Sequence, residues 1–288
     1  MKRREFLRAG AAAAACLGSS TPRSGARVLV LGGTRYFGPV LVEELLAHGA
    51  TVTLFNRGKT NPHLFPKLEK LRGDRELPDA SGLKSLANSS RTRDWVVDTW
   101  RGDARCVGET ARLLCDRVRH YQYVSTVSVY DRWDRIRIRE DEPLNPIPPR
   151  PPSPGEPYRY AIRKTLAEQQ LREVLPGRSA FFRSHGMRGY PTSAPRHEPY
   201  WQVKVMRGRD LVVPAQIEHY QVTDMVSLAR FMIRCAREGK TGPYNVAYPP
   251  LRFSRFIDAI VKHTRSTVQL HWIPDKFLQA QGVTLLRG

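Results

Sequence analysis

No stretch of this 288-residue chain is apolar for long enough to cross a bilayer as a mature transmembrane helix. Cysteine is scarce: the four residues Cys16, Cys106, Cys115 and Cys235 form no CxxC pair. The eight histidines show no metal-ligand spacing, so no metal site is expected. Cys106 and Cys115, nine residues apart on or beside one helix, face opposite sides and read as ordinary buried thiols. Acidic residues are few, 27 against 47 Lys and Arg, which leaves a formal net charge of +20. Most of that charge lies beyond residue 20, because only Lys2, Arg3, Arg4 and Arg8 stand against Glu5 before it. Such a surplus attracts phosphates, nucleic acid or an anionic membrane surface. The arginines are scattered and not gathered in one block, so charge alone does not mark an RNA-binding protein. A hydrophobic content of 41% with 26% charged residues excludes a disordered chain. The length suits one large domain, or a domain with a smaller lobe attached.

The opening, MKRREFLRAGAAAAACLGSS, has a basic start, a weakly apolar Ala-rich middle and a small polar end, the layout of a secretory signal. Arg3-Arg4 followed by Glu5, Phe6, Leu7 and Arg8 resembles the twin-arginine consensus. Residues 1–25 are therefore expected to be a signal peptide, with the twin-arginine export machinery as a partner and a periplasmic or other extracytoplasmic destination. Cys16 after Ala13-Ala14-Ala15 loosely matches a lipoprotein cleavage site, which leaves a lipid anchor open.

From Arg27 the pattern changes. Arg27-Val28-Leu29-Val30-Leu31 suits a strand buried on both faces. It runs into Gly32-Gly33-Thr34-Arg35-Tyr36-Phe37-Gly38. A helix follows with Val40, Leu41, Leu45 and Leu46 on one apolar face, and Gly49 stands where a helix stop belongs. Val52-Thr53-Leu54-Phe55 is a second strand. Strand, Gly-rich turn, helix and strand within about thirty residues is the context of a dinucleotide-binding turn, in which a helix N-terminus meets a pyrophosphate. The second strand ends in Asn56-Arg57-Gly58, with no acid for a ribose hydroxyl and a cation in reach of a 2′-phosphate. NADP is expected over NAD, which stays open.

These residues resemble the extended and atypical-extended short-chain dehydrogenases/reductases, the NAD-dependent epimerase/dehydratase family. Within it the GGTRxxG turn is similar to the branch that includes chloroplast stem-loop RNA-binding proteins. The family's turn reads GxxGxxG; here Arg35 takes the middle position, where it is expected either to disturb the close backbone approach or to place its guanidinium on a cofactor phosphate. Asp74, after a strand near Leu71-Arg72-Gly73, matches the family's adenine-contacting Asp. Asp94–Asp98 reads as a fourth strand, and Val107, Ala111, Leu114 and Val118 as one face of the following helix. Tyr121–Ser125 is a fifth strand running into Thr126-Val127-Ser128-Val129-Tyr130, similar to the family's Ser/Thr–VY strand end. The resemblance puts Thr126 in the place of the catalytic hydroxyl. Tyr160-Ala161-Ile162-Arg163-Lys164 supplies YxxxK, and i, i+4 spacing places phenol and ammonium on one helix face. In the reaction so implied, Tyr160 exchanges a proton with a substrate oxygen, its phenolate favoured by Lys164 and an oxidised nicotinamide. Lys164 also holds the nicotinamide ribose, and Thr126 hydrogen-bonds the substrate.

The Pro-rich stretch from Pro143 to Pro157 favours extended backbone, as a flap over the cleft or a surface loop. Further on, RSHGMRGYP (Arg183 to Pro191), Tyr220–Met225 and Gly242–Val246 are similar to the family's RPGxxxGP, FIHVDDV and GxYN elements. Where nucleotide-sugar enzymes carry a diphosphate-gripping Arg this chain has Ile217, and Gln221 takes the His position, so a UDP- or dTDP-sugar is less expected. The family's C-terminal lobe continues further, so truncation at Gly288 is a further expectation.

The expected fold is α/β: a Rossmann-type doubly wound parallel sheet with a small C-terminal substrate lobe. Residues 26–185 form the NAD(P)-binding part, and 186–288 the remaining Rossmann elements and the lobe. The cofactor-binding residues are Gly32, Gly33, Thr34, Arg35, Tyr36, Phe37, Gly38, Asn56, Arg57, Asp74 and Lys164; the catalytic ones are Thr126, Tyr160 and Lys164. The expected activity is that of an NAD(P)-dependent oxidoreductase of the epimerase/dehydratase type, acting on a small carbonyl or hydroxyl compound, with a sugar-derived one left open. The alternatives are a non-catalytic Rossmann protein that binds RNA or another polyanion, and an epimerase or dehydratase with a permanently bound cofactor.

Overall fold

The computed structural model describes residues 25–282 apart from 78, 80, 133, 134, 136, 151–157, 190–199, 218 and 219. Residues 1–24 of the signal segment with Cys16, residues 151–157 of the Pro-rich stretch, the end of RSHGMRGYP and the last six residues therefore lie outside the described residues.

The elements in chain order are β1 (Arg27–Leu31), α1 (Phe37–Ala47), β2 (Thr51–Asn56), β3 (Glu69–Arg72), the single turn α2 (Lys84–Ala87), β4 (Arg93–Asp98), α3 (Ala104–Leu114), β5 (Val118–Thr126), α4 (Tyr160–Val174), β6 (Ser179–Ser184), β7 (Met187–Arg188), α5 (Tyr200–Met206), β8 (Leu211–Pro214), β9 (Thr223–Asp224), α6 (Met225–Arg237), β10 (Gly242–Val246), α7 (Phe253–Thr264), β11 (Leu270–Ile273) and α8 (Asp275–Ala280). Seven strands form one parallel sheet in the order β10-β6-β5-β4-β1-β2-β3. This is a Rossmann-type doubly wound sheet. Its order reverses between β1 and β4, the point where such sheets open a crevice at their carboxyl ends.

Alternation along the strands builds a core on each face. Val28 and Val30 of β1, Val52 and Leu54 of β2 and Val97 of β4 pack with Val40, Leu41 and Leu45 of α1 and Leu228 and Met232 of α6. The intervening Leu29, Leu31, Phe55 and Val96 pack on the other face against Val107 and Ala111 of α3 and Ala167 and Leu171 of α4. With both faces covered, the strands read as near-continuous apolar runs. α3 starts at Asp103, whose carboxylate accepts from the Arg105 N–H at 2.9 Å. α6 starts in the same way at Asp224, which accepts from the Ser227 N–H at 2.7 Å.

The C-terminal lobe has a separate core of Val205, Leu211, Val213, Phe253, Ile257 and Ile260, with Ile217 and Tyr220 at its edge. Its two strands, β8 and β11, pair in parallel.

Three sequence-based expectations are corrected. Leu46 is 38% exposed, because α1 turns that position away from the sheet. Val118 opens β5 and does not extend α3, since that helix ends at Leu114. Cys115, the residue that caps it, is only half-buried, while Cys106 and Cys235 are buried.

Candidate active site

Every sequence-predicted site residue sits at the carboxyl edge of the parallel sheet or on the helices that leave it. The turn after β1 is shaped by its glycines. Gly32 and Gly33 have φ of +116° and +90°, values that L side chains rarely adopt. A Cβ on Gly38 would lie 2.7 Å from the backbone of Gly33, so only glycine lets α1 start this close to the turn. Arg35 is absent from the positive-φ residues and its side chain is exposed. The strain falls one residue later, on Tyr36, at φ 55° and ψ −111°.

The N-terminus of α1 has no side-chain cap and no acid in its first turn. Its partial positive charge suits an anion, so the turn fits a dinucleotide's pyrophosphate, although the Gly38 N–H is already given to the Arg35 carbonyl at 3.0 Å and Pro39 has none. Phe37 offers only backbone there, because its ring is buried in the core. Thr34 is also buried, and its carbonyl accepts from Asn61 Nδ2 at 2.9 Å.

At the end of β2, Asn56 Nδ2 donates to the Gly32 carbonyl at 3.1 Å. Its Oδ1 accepts from the Gly58 N–H at 2.9 Å and from Arg72 at 3.2 Å. Arg57 is partly compensated, lying 3.2 Å from Glu76 and 3.7 Å from Asp74. Asp74 is thus an ion-pair partner of Arg57. Arg72, a second cation at this edge, was not singled out from the sequence.

β5 ends at Thr126, whose Oγ1 accepts from the Ser128 N–H at 3.3 Å to start one 3-10 turn over Val127–Val129. The Asn145 side chain donates to the Ser128 carbonyl at 2.7 Å, and its N–H to the Val129 carbonyl, so the start of the Pro-rich segment is tied to this turn. Tyr160 opens α4 and is 42% exposed, yet enough protein surrounds its phenol that burial raises its pKa. Tyr160 thus stands at the crevice along the carboxyl edge of the sheet. A hydrogen bond with Thr126 and the charges of Arg101 and Arg163 pull the other way. Burial is the largest of these causes, so without a bound nicotinamide the phenol is held above its ordinary pKa.

Lys164, one turn further on, is buried. Its Nζ donates to the carbonyls of Trp100 and Val124, both at 2.6 Å, and lies 4.3 Å from the Tyr123 ring centre and 5.9 Å from that of Tyr160. Burial pulls its pKa down to about 7, against the opposing charges of Asp98 and Glu168. The ammonium is therefore committed to two backbone carbonyls behind Tyr160, with one of its three donors left over.

Two buried ion pairs flank this lysine. Arg75 meets Asp98 with two hydrogen bonds of 2.9 and 2.8 Å, and Tyr121 donates to the same carboxylate at 2.7 Å. Burial raises the Asp98 pKa, but Arg75, Tyr121 and the Trp100 N–H together hold it below the usual carboxylate range. Glu168 takes hydrogen bonds from Arg183 and, at 2.6 Å, from Ser125, the neighbour of Thr126. Glu168 follows Lys164 by four residues on α4, a spacing visible in the sequence. Arg75 and Arg101 carried no comparable signal.

No family model and no curated protein sequence matches the chain. Solved structures do. The Bordetella bronchiseptica enzyme WbmG in complex with NAD and UDP is similar at a TM-score of 0.69 and 17% identity, over 87% of this chain and 83% of that one. UDP-N-acetylglucosamine 4-epimerase from Bacillus cereus gives 0.67 at 15% identity, over 92% of each chain. The Thermus thermophilus UDP-glucose 4-epimerase complex with NAD gives 0.65 at 17% identity, over 91% of this chain and 94% of that one. At such identities the likeness is one of fold.

Proposed function

We propose that the protein is an exported NAD(P)-dependent oxidoreductase of the epimerase/dehydratase type, with Tyr160, Thr126 and Lys164 as its catalytic group. The observation that carries this reading is Tyr160 itself: a partly exposed side chain near Thr126 and backed by a buried lysine, at the carboxyl edge of a doubly wound sheet. The neighbours crystallised with NAD support a nicotinamide cofactor. The turn Gly32–Gly38 would hold its pyrophosphate, Asn56 and Arg57 its adenosine ribose, and Asp74 the adenine side. A nicotinamide bound there supplies a hydride acceptor or donor.

The chain's own residues account for the proton. Tyr160 Oη gives its proton to a substrate carbonyl oxygen, or takes one from a substrate hydroxyl, while Thr126 Oγ1 hydrogen-bonds the same oxygen. Lys164 holds the Trp100 and Val124 peptides in place and contributes positive charge behind the ring. Arg57 and Arg72, with no acid on β2 itself, favour a 2′-phosphate and so NADP. Asp74 and Glu76 beside Arg57 temper that preference.

Titrating NADPH and NADH into the purified protein by fluorescence tests the reading. Binding of either, with turnover lost in Tyr160→Phe, supports it. Folded protein that binds neither nucleotide, but binds RNA with an affinity that falls steeply with salt, would put a non-catalytic polyanion-binding role first.

A further inference from the structure

Among the described residues, the surroundings of Tyr160 are unbalanced in charge. Arg163 lies three residues beyond it on α4, adjacent on the helix surface. One Arg163 nitrogen, Nη1, donates to the Tyr158 carbonyl at 2.6 Å, while Nε is buried with no hydrogen-bond partner among the described residues. Arg101 is exposed and follows directly on Trp100, whose carbonyl anchors Lys164. The charges of both arginines reach the Tyr160 phenol and the Lys164 ammonium.

No acid offsets them among the described residues. Asp98 and Glu168 lie beneath the cleft, each buried and committed to its own arginine, Arg75 and Arg183. Asp103, two residues after Arg101, caps α3 and lies 3.9 Å from Arg105. Neither Arg101 nor Arg163 has a carboxylate within 4.0 Å among these pairs. Arg188, whose charge acts on Tyr36, adds a third cation where Tyr36 Oη donates to the Met187 carbonyl at 3.0 Å. Cations gathered at a crevice with no counter-ion among the described residues raise the local concentration of anions and hold them through paired N–H donors.

We propose that the substrate carries an anionic group, a carboxylate or an equivalent oxyanion, next to its reacting carbon, and that Arg101 and Arg163 hold it beside Tyr160. This rests on the oxidoreductase reading above and narrows its substrate to hydroxy or oxo acids. The cofactor's phosphates have their own place at the turn after β1, on a different element from Arg163.

The test compares matched ligands on the full-length protein saturated with nucleotide: galacturonate against galactose, and 2-oxobutyrate against 2-butanone, by calorimetry. The expected result is at least tenfold tighter binding of an acid than of its uncharged partner. That margin collapses in Arg101→Gln and in Arg163→Gln, with nucleotide affinity unchanged. Equal binding within both pairs, or no binding of any of the four with nucleotide in place, overturns the proposal. So does a loss of nucleotide affinity in either variant without loss of the acid margin, which would assign the arginines to the cofactor. Wild-type protein that binds no nucleotide refutes the oxidoreductase reading itself, and the substrate assignment with it. Arg101→Gln is the decisive variant if Arg163→Gln fails to fold, because Arg101 is exposed.

Discussion

The Glu168 carboxylate and the Arg183 guanidinium meet through hydrogen bonds of 2.7 and 3.1 Å, and neither side chain is more than 1% exposed. Arg183 also donates to the Tyr130 hydroxyl at 2.8 Å, and Tyr130 in turn donates to Asn245 at 2.6 Å. One network thus ties β5, α4, β6 and β10 together directly behind Thr126. Breaking such a pair from one side leaves a charge buried and unpaired, at a cost of about 3–5 kcal/mol. Arg183→Met is expected to lower unfolding stability in urea by that order. Glu168→Leu with Arg183→Met should recover part of the loss. A double variant no more stable than the single one would show that the pair's geometry, and not the stranded charge, carries the cost.

Tyr160→Phe removes one oxygen from a residue that is 42% exposed, so stability should change little. If Tyr160 moves the proton, turnover falls by about two to four orders of magnitude with nucleotide affinity retained. Activity of the phenylalanine variant within tenfold of the parent would remove Tyr160 from the chemistry.

The apolar runs of β1, β2 and β4 and the glycine-rich turn were legible in the sequence, because a strand covered on both faces has to be apolar throughout. β1 occupies Arg27–Leu31 as read, and YxxxK opens α4 at Tyr160. The buried Arg75–Asp98 pair was not legible. Its partners are 23 residues apart on different elements, and a charged residue in a sequence carries no sign of being buried. The charges around Tyr160 escaped for the same reason: Arg101 is one arginine among many until β4 and α4 bring it to the cleft. Desolvation of the phenol, the largest cause of its shift, was not legible either, because burial of a single side chain leaves no mark in the sequence.

The turn after β1 makes a steric prediction. In Gly38→Ala the new Cβ meets backbone atoms of Gly33 at 2.7 Å, and backbone cannot swing aside as a side chain can. Either α1 shifts or the turn opens, and both disturb the N–H groups expected to hold a pyrophosphate. The variant should lose on the order of 1–3 kcal/mol of stability and bind nucleotide at least tenfold more weakly. Gly49→Ala is the matched control: a Cβ there meets nothing within 4 Å, although its φ of +78° carries the usual strain. Its nucleotide affinity should stay at the parent value.

At the end of β2, Arg57→Asp reverses the charge that separates the two nucleotides and sets a third carboxylate beside Asp74 and Glu76. NADPH affinity should fall by more than tenfold, while NADH affinity falls little or rises through a bond to the ribose hydroxyl. Titration of both nucleotides checks this. Parallel losses for the two would mean that Arg57 does not discriminate between them.

Lys164 makes a prediction about pH whose sign follows from its burial. Folding takes its pKa from 10.5 down to about 7, so between those values the unfolded chain binds more protons than the folded one. Stability from this group therefore rises as pH rises from about 7 towards 10.5. Below pH 7 the full penalty of a buried ammonium is present, offset by its hydrogen bonds to Trp100 and Val124. Lys164→Met keeps the apolar stem and removes the charge. The melting temperature of the parent relative to this variant should climb between pH 7 and pH 10 and level off below pH 7. A difference that stays flat across that range would mean that the amine keeps its proton throughout. Lys164 would then be a permanent cation behind Tyr160, and its field on the phenol would not change with pH.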